Sequence, residues 1–407
     1  MRLHALACTL FLAACSDSAA PDATTFSDSA GVRIASNDVA TPVWGRGFVN
    51  GWTLAGNPSV QVGNILGNSD HDLYRVAHSH RMPDGGIAVA NTGLGDVRLY
   101  TGQGDHVRTL DLGPTAVDEA QPLLVLPLGG DSLAVLQGDQ TLSVFRGGVR
   151  AASRRLASPG DDFETPEPMG VFADGSLLFR SRFPWDTTAT GIGHRRARLL
   201  RYAIDGSILA TLADLTDDAV LTAERGAYLF APAALYAAGD STVWYGTADR
   251  YEVRELAPDG RVLRIVRLNR ARTPVQQADS AAYRSAVLNR VLNTSREHTM
   301  EATLDASFFP DSFPTFDRLI VDDVGNLWLR NFQWFDLGSG KGWSVFDPEG
   351  RYLGDVTTPS ILEIHQIGDD FVLGRMSDRA GREAVYLFPL NKPEKPPAPT
   401  TDSTAGP

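Results

Sequence analysis

The chain has 407 residues, 43% of them hydrophobic and 21% charged, and a formal net charge of −12. That length suits two ordinary domains or one large repeat domain. The acid excess, with no Lys/Arg-rich block, argues against nucleic acid as a partner, because binding phosphates needs a basic face.

The chain opens with "MRLHALACTLFLAACSDS". Arg2 precedes an apolar run from Leu3 to Ala14. The run is too short to span a bilayer as a permanent helix, but it suits a secretory signal at 1–14. It ends in Leu12-Ala13-Ala14-Cys15, with small residues before the cysteine, and this resembles the lipobox of bacterial lipoproteins. The resemblance implies cleavage before Cys15 and lipidation of its thiol. Because Ser16 follows, and not Asp, it also implies the outer membrane, with the protein facing the periplasm or the cell surface. Multiple acyl chains on one residue anchor far more firmly than one. Both cysteines, Cys8 and Cys15, lie in this segment. A mature domain without a disulfide must be held by burial alone, which its size permits. Residues 15–30 are small and polar, and are expected to form a flexible tether.

From residue 31 to 390 one pattern recurs. An apolar strand reaches a tight turn and continues as an alternating strand: "MPDGGIAVANT", "LGGDSLAVLQG", "FADGSLLFRSR", "AAGDSTVWYGT", "VDDVGNLWLRN" and "QIGDDFVLGRM". A second tight turn follows in most units, as in "YAIDGSILATL" and "FDPEGRYLGDV". Asp-Gly and Gly-Gly pairs supply the positive φ angles that such hairpins require. The spacing is about forty-five residues, the length of a four-stranded propeller blade. A blade cannot bury both faces alone, so blades stack around an axis. Six beats predict an all-β, six-bladed β-propeller with four-stranded blades. The last unit supplies only three strands, so "GWTLAGNPSVQVG" (51–63) is expected to complete it, terminal strands closing the ring.

The stretches "DSAGVRIASND", "YRVAHSHRMPDGGIAVAN", "PTFDRLIVDDVGNLWLR" and "WSVFDPEGRYLGDV" together resemble bacterial six-bladed β-propeller lipoproteins related to NHL-repeat and TolB-like propellers. The resemblance covers nearly the whole mature chain. It is specific for architecture and almost silent about function. His78 and His80 stand where that pattern has smaller or aliphatic residues.

Between the fourth and fifth units, about 273–300, the pattern turns helical. Thr273 before Pro274 suits a helix start, and Tyr283, Val287, Leu288, Val291 and Leu292 share one face. This predicts one amphipathic helix packed on the propeller. The tail 391–407, "NKPEKPPAPTTDSTAGP", is proline-rich, has no apolar residue able to pack, and is expected to be disordered.

A propeller has two unequal faces. One receives the starts of the inner strands and the exits of the second strands; we call it the entry face. The longer insertions fall there, which marks it as the working side, since loops on a rigid scaffold carry function. The predicted binding residues on it are Arg75, Trp185, Asp317, Arg318, Arg330 and Trp334. Guanidinium groups beside aromatic rings suit an anionic or carbohydrate-like ligand, or a peptide; paired with neighbouring carboxylates, the same arginines would be structural.

No nucleophile elbow, HExxH or P-loop motif occurs. His78 and His80 share one face of a strand and are expected to be metal-free. The expected function is that of a monomeric binding or scaffolding module for an envelope protein, peptide or glycan, without a cofactor, touching the membrane only through its lipid anchor. The alternative is a calcium-dependent, lactonase-like hydrolase or a lyase. Its channel site would draw on Glu164, Glu167, Asn91, Asp317 and Asn331.

Overall fold

The computed structural model describes residues 24–45, 51–113, 121–185, 191–222, 226–335 and 338–393. Cys15 and the signal segment lie outside the described residues. The strands form six sheets, antiparallel within each blade, each with its first strand at one edge: blade 1 at 76–110, blade 2 at 122–155, blade 3 at 167–222, blade 4 at 235–269, blade 5 at 316–358 and blade 6 from 363. The expected six-bladed propeller is therefore present.

Its core is divided into seams. Ala88, Ala90 and Val97 of blade 1 pack against Val125, Leu133 and Val135 of blade 2. Equivalent clusters join blades 2 and 3, 3 and 4, 4 and 5, and 5 and 6. Val76, Ile87 and Val89 then meet Phe371, Leu373 and Val385, so blade 6 packs on blade 1 and the ring closes. A second strand lies between two seams. Ile87–Asn91 is accordingly buried at all five positions, and its sequence is a continuous apolar run before Asn91 instead of an alternation. In "FADGSLLF" the turn glycine Gly175 has φ +80°, a conformation that costs glycine little and other residues more.

The closure is the expected one. Val60–Val62 pairs with Glu383–Asn391, Val62 opposite Val385, and so supplies the fourth strand of blade 6. Thr53–Leu54 pairs further along the same strand. Of the expected tether at 15–30, residues 15–23 lie outside the described residues and the rest is not free chain. Thr24–Ser29 forms a strand (β1), paired with Val32–Asp38 (β2). β2 adds in parallel to Val262–Asn269, extending blade 4 to six strands.

The insertion between blades 4 and 5 holds two helices where one was expected: α1 (Gln277–Val291) and α2 (Glu297–Asp305). Thr273 and Pro274 are not the helix start. They run extended against Ser312 and Phe313. α1 begins after Gln276, whose amide donates to the Asp279 carboxylate at 2.9 Å, the return half of a capping box. Tyr283, Val287, Leu288 and Val291 form the half-buried side, and Leu292, past the helix end, is 53% exposed. No α1 residue is fully buried, so the helix lies on the propeller and does not enter its core. α2 contributes one buried anchor, Leu304.

Candidate functional site

Insertions on the entry face converge on one aromatic cluster. Phe230 lies at its centre, with ring centroids of Tyr283 from α1 at 5.1 Å, Phe313 at 5.1 Å, Phe309 at 5.4 Å and Trp334 at 5.6 Å. Phe332 stacks on Phe313 at 5.7 Å. These rings come from the segment before the inner strand of blade 4, the helical insertion, and the loop after the second strand of blade 5. Leu229 donates its amide to the Phe308 carbonyl at 2.8 Å, which fixes two of these segments together. The inner strand of blade 4 starts at Leu235, so 228–230 is a loop ahead of it. Phe230 itself has φ +55°, a left-handed backbone that a phenylalanine adopts only when its surroundings hold it there.

Beside the cluster is a pocket of about 520 Å³. Phe313, Phe332, Trp334 and Phe335 form its apolar wall; Tyr251, Arg270 and Asn331 give it polar groups. Those groups are positioned from below. The Tyr251 hydroxyl donates to Asn331 Oδ1 at 2.8 Å. Arg270 donates to Asp355 at 2.9 Å and to Ser344 Oγ at 3.2 Å. Burial raises the Tyr251 phenol well above its ordinary value, so it remains a hydroxyl donor. Arg270 Nε is buried with no partner among the described residues. An apolar wall with a few fixed polar groups is the usual construction of a small-ligand or side-chain pocket.

Of the six binding residues predicted from sequence, only Trp334 lines this pocket; Asn331, named for the alternative site, lines it too. Arg330, one residue before Asn331, donates Nε to Asp317 at 2.6 Å and lies over the Trp343 ring at 5.9 Å. Arg318 donates to the Ile364 carbonyl at 2.6 Å and lies 3.7 Å from Glu363. Burial, and then the neighbouring Arg330, lower its pKa. Trp185 donates to Thr222 Oγ1 at 2.8 Å and packs on the outer strands of blade 3, apart from the aromatic cluster. Arg75 is exposed, has φ +52°, and makes no side-chain hydrogen bond or ion pair among the described residues. Sequence reasoning missed Phe332, Tyr251 and Arg270 as pocket residues. Their signal was position: all three flank the entry-face ends of strands.

Unlike Arg75, the arginines at the exits of the second strands of blades 3 and 6 are paired by carboxylates. Arg182 binds Asp217 at 2.6 Å, Asp218 at 2.7 Å and Glu167 at 2.9 Å. Arg180 binds Glu167 and, at 3.1 Å, Asp217. Asp217 is 1% exposed and also accepts from the Tyr236 hydroxyl at 3.0 Å. Burial, then the Asp217 charge, push that phenol far up. Arg375 joins Glu363 at 2.6 Å to Glu383. Buried charges need such partners, since desolvation otherwise costs several kcal/mol per ion.

The same pairing bears on calcium. Glu167 is engaged by Arg180 and Arg182, Asp317 by Arg330, and Glu164 by Arg195. Asn91 donates to Asp96 and accepts from the Tyr74 amide, both at 2.8 Å. Asn331 accepts from Tyr251. The five residues on which the alternative, calcium-dependent site would draw are thus each engaged by other partners. Among the described residues no group of three His, Cys, Asp or Glu side chains is placed to hold a metal.

The histidines gather elsewhere. His78 stacks on His365 at 5.6 Å and on His80 at 6.2 Å between the inner strands of blades 1 and 6. His365 Nδ1 lies 2.8 Å from Ser79 Oγ. Burial lowers the His80 pKa to about 4. Burial, then Arg318 and Arg375, lower that of His365 to about 3. Burial, then His365, His80 and Arg318, lower that of His78 well below 6.5. The trio is neutral at neutral pH. His365 was not foreseen; it stands 285 residues beyond His80 in sequence, in the inner strand "EIHQI".

No protein-family model and no curated protein matches the sequence. Solved structures do. The chain is similar to a member of the DUF4221 family from Bacteroides vulgatus, at 9% identity and TM-score 0.47, covering 84% of this chain and 99% of that one. It is similar to regucalcin, a calcium-binding protein from Agrobacterium tumefaciens, at 10% identity and TM-score 0.41, covering 85% and 98%. It is also similar to virginiamycin B lyase from Staphylococcus aureus, at 10% identity and TM-score 0.39, covering 83% and 99%. The propeller assignment rests on the strand order and seams described above, and these distant likenesses add nothing about a ligand.

Proposed function

We propose that the chain is a membrane-anchored propeller lipoprotein, held through Cys15, that acts as a binding and scaffolding module for an envelope protein, peptide or glycan through its entry face. The observation that carries this is the aromatic pocket. Three separate segments are spent on building it, and its rings are fixed by one another before any ligand arrives. Rigid aromatic anchors beside a positioned guanidinium are what binding hot spots are made of. The lipobox at Leu12–Cys15 supports the anchor, and Ser16 supports the outer membrane.

The test is a photo-crosslinking residue at Gln333, inside the pocket loop, in the native envelope, with a control at Gly260 on the opposite face. A discrete adduct from Gln333 alone is expected. Equal adducts from both sites, or an adduct only from Gly260, would overturn the assignment of the face.

A further inference from the structure

The outer edges of the blades are unequally used. Each blade ends in an outermost strand, and an edge strand presents unpaired amides and carbonyls on its far side. The segment 32–62 adds partners along three blades. β2 lies on Val262–Asn269 of blade 4. The Val43 and Trp44 amides donate to the Tyr352 and Leu353 carbonyls of blade 5, both at 3.0 Å. Val60–Val62 pairs with Glu383–Asn391 of blade 6. The added strands run in both directions, β2 in parallel and Val60–Val62 antiparallel. Blades 1, 2 and 3 end in His106–Leu110, Val149–Arg155 and Ile208–Thr222, and none of these has a further strand among the described residues.

The three open edges differ in charge. Ile208–Thr222 carries Asp214, Asp217 and Asp218, which pair with arginines of their own blade. His106–Leu110 is only five residues long. Val149–Arg155, "VRAASRR", carries Arg150, Arg154 and Arg155, and no Asp or Glu occurs from 141 to 160. Every residue of this strand is exposed except the half-buried Ser153, and its backbone pairs on one side only, with Thr141–Arg146. Arg146 and, from blade 1, Arg108 flank it, and all five arginines are exposed. The bonds they make go to backbone carbonyls: Arg108 to Gly147 at 2.5 Å, Arg150 to Asp111 at 2.8 Å and Arg154 to Ser153 at 3.0 Å. Asp205, on the adjoining turn of blade 3, is turned onto Ser207. In a chain of net charge −12 this edge is therefore a row of cations without carboxylate partners among the described residues.

Like charges along an edge repel a second copy of that edge. They attract a strand of opposite sign, which gains backbone bonds and carboxylate–guanidinium pairs together. An anionic membrane surface would use the charges but not the open backbone. We propose that Val149–Arg155 is a second docking surface, which takes an acidic, extended peptide segment of a partner protein as an added strand of blade 2. Blade 2 stands across the six-bladed ring from blade 5, so this surface is separate from the aromatic pocket and does not depend on it or on the lipid anchor.

The experiment titrates the full-length protein into a dye-labelled peptide of alternating threonine and glutamate, followed by fluorescence anisotropy. Binding is expected, weakening as salt is raised, with slowed amide exchange in 149–155 and no slowing in 208–222. Replacing alternate threonines by proline keeps the charge and removes strand pairing; that peptide should bind about tenfold more weakly. Arg154→Glu with Arg155→Glu should lose the glutamate peptide and gain its threonine–lysine counterpart, a gain that a misfolded variant would not show. Equal binding of the proline peptide would reduce the edge to a charged patch and overturn the added strand. No binding of the glutamate peptide, or binding unaltered by the charge reversal, would overturn the site. Arginine-dependent binding to phosphatidylglycerol vesicles without binding of the peptide would overturn it in favour of an anionic membrane.

Discussion

The Asn37 side chain accepts the Tyr352 amide at 2.8 Å and donates to the Gly350 carbonyl at 2.9 Å. Asn37 belongs to the N-terminal hairpin and Tyr352 to blade 5. One buried amide thus fastens the extended edge of blade 4 to its neighbour, and Thr24 Oγ1 completes it at 2.6 Å. Asn37→Ala leaves a buried donor and a buried acceptor unpaired. It should cost about 2–4 kcal/mol, measured by urea unfolding at pH 7. Asn37→Asp keeps the acceptor, loses the donors, and should also destabilise.

Glu383 latches the ring. It is 7% exposed, accepts the Val76 amide of blade 1 at 2.6 Å, and pairs with Arg375 of blade 6. Removing it strands an amide and part of a guanidinium charge. Glu383→Ala should lower stability by about 3 kcal/mol. Opening should begin at the blade 6–blade 1 seam, seen as faster amide exchange in Val76–Arg81 and Glu383–Asn391 than in blade 3.

The histidine trio gives the protein an acid limb. Unfolded imidazoles gain protons near pH 6.5, while His80 and His365 in the fold gain theirs only near pH 4 and 3. The unfolded chain therefore binds more protons in this window, and stability rises with pH through it. It is complete above pH 6.5 and falls as pH drops toward 4, by at most about 1.4 kcal/mol per pH unit per imidazole. Carrying both His80→Gln and His365→Gln should flatten the fall in urea midpoint between pH 6.5 and 4.5. An unchanged slope would assign the limb to other groups.

Phe230→Ala removes the ring that five others touch and leaves a left-handed backbone at an alanine. Phe230 is half-buried, so the loss should be smaller than for a core aromatic, about 1–2 kcal/mol. The damage should be local, because the cluster lies outside the six seams. Limited proteolysis should cut within α1 in the variant before the blades are lost.

The blades were legible because each strand pair is joined by a turn that only a few residue types make, and those residues repeat at fixed distance. Blade 6 was legible as incomplete for the same reason. The β1 strand was not, because "TTFSDS" is almost entirely polar; its partner is a sheet edge far along the chain, and edge strands need no apolar face. The arginines were visible, but their partners were not: Asp217 and Glu383 come from other strands, and pairing across a sheet leaves no local pattern. The aromatic loops stood out as insertions. That Phe230 would centre them depends on three segments meeting in space, which no short window records.

The most direct test of the working face is hydrogen–deuterium exchange of the lipidated protein in its native membrane, compared with the detergent-solubilised form. The account predicts protection in 228–230, 307–313 and 332–335, with no change at the opposite-face turns 82–86 and 322–326. Protection at those turns, with the aromatic loops unchanged, would contradict it.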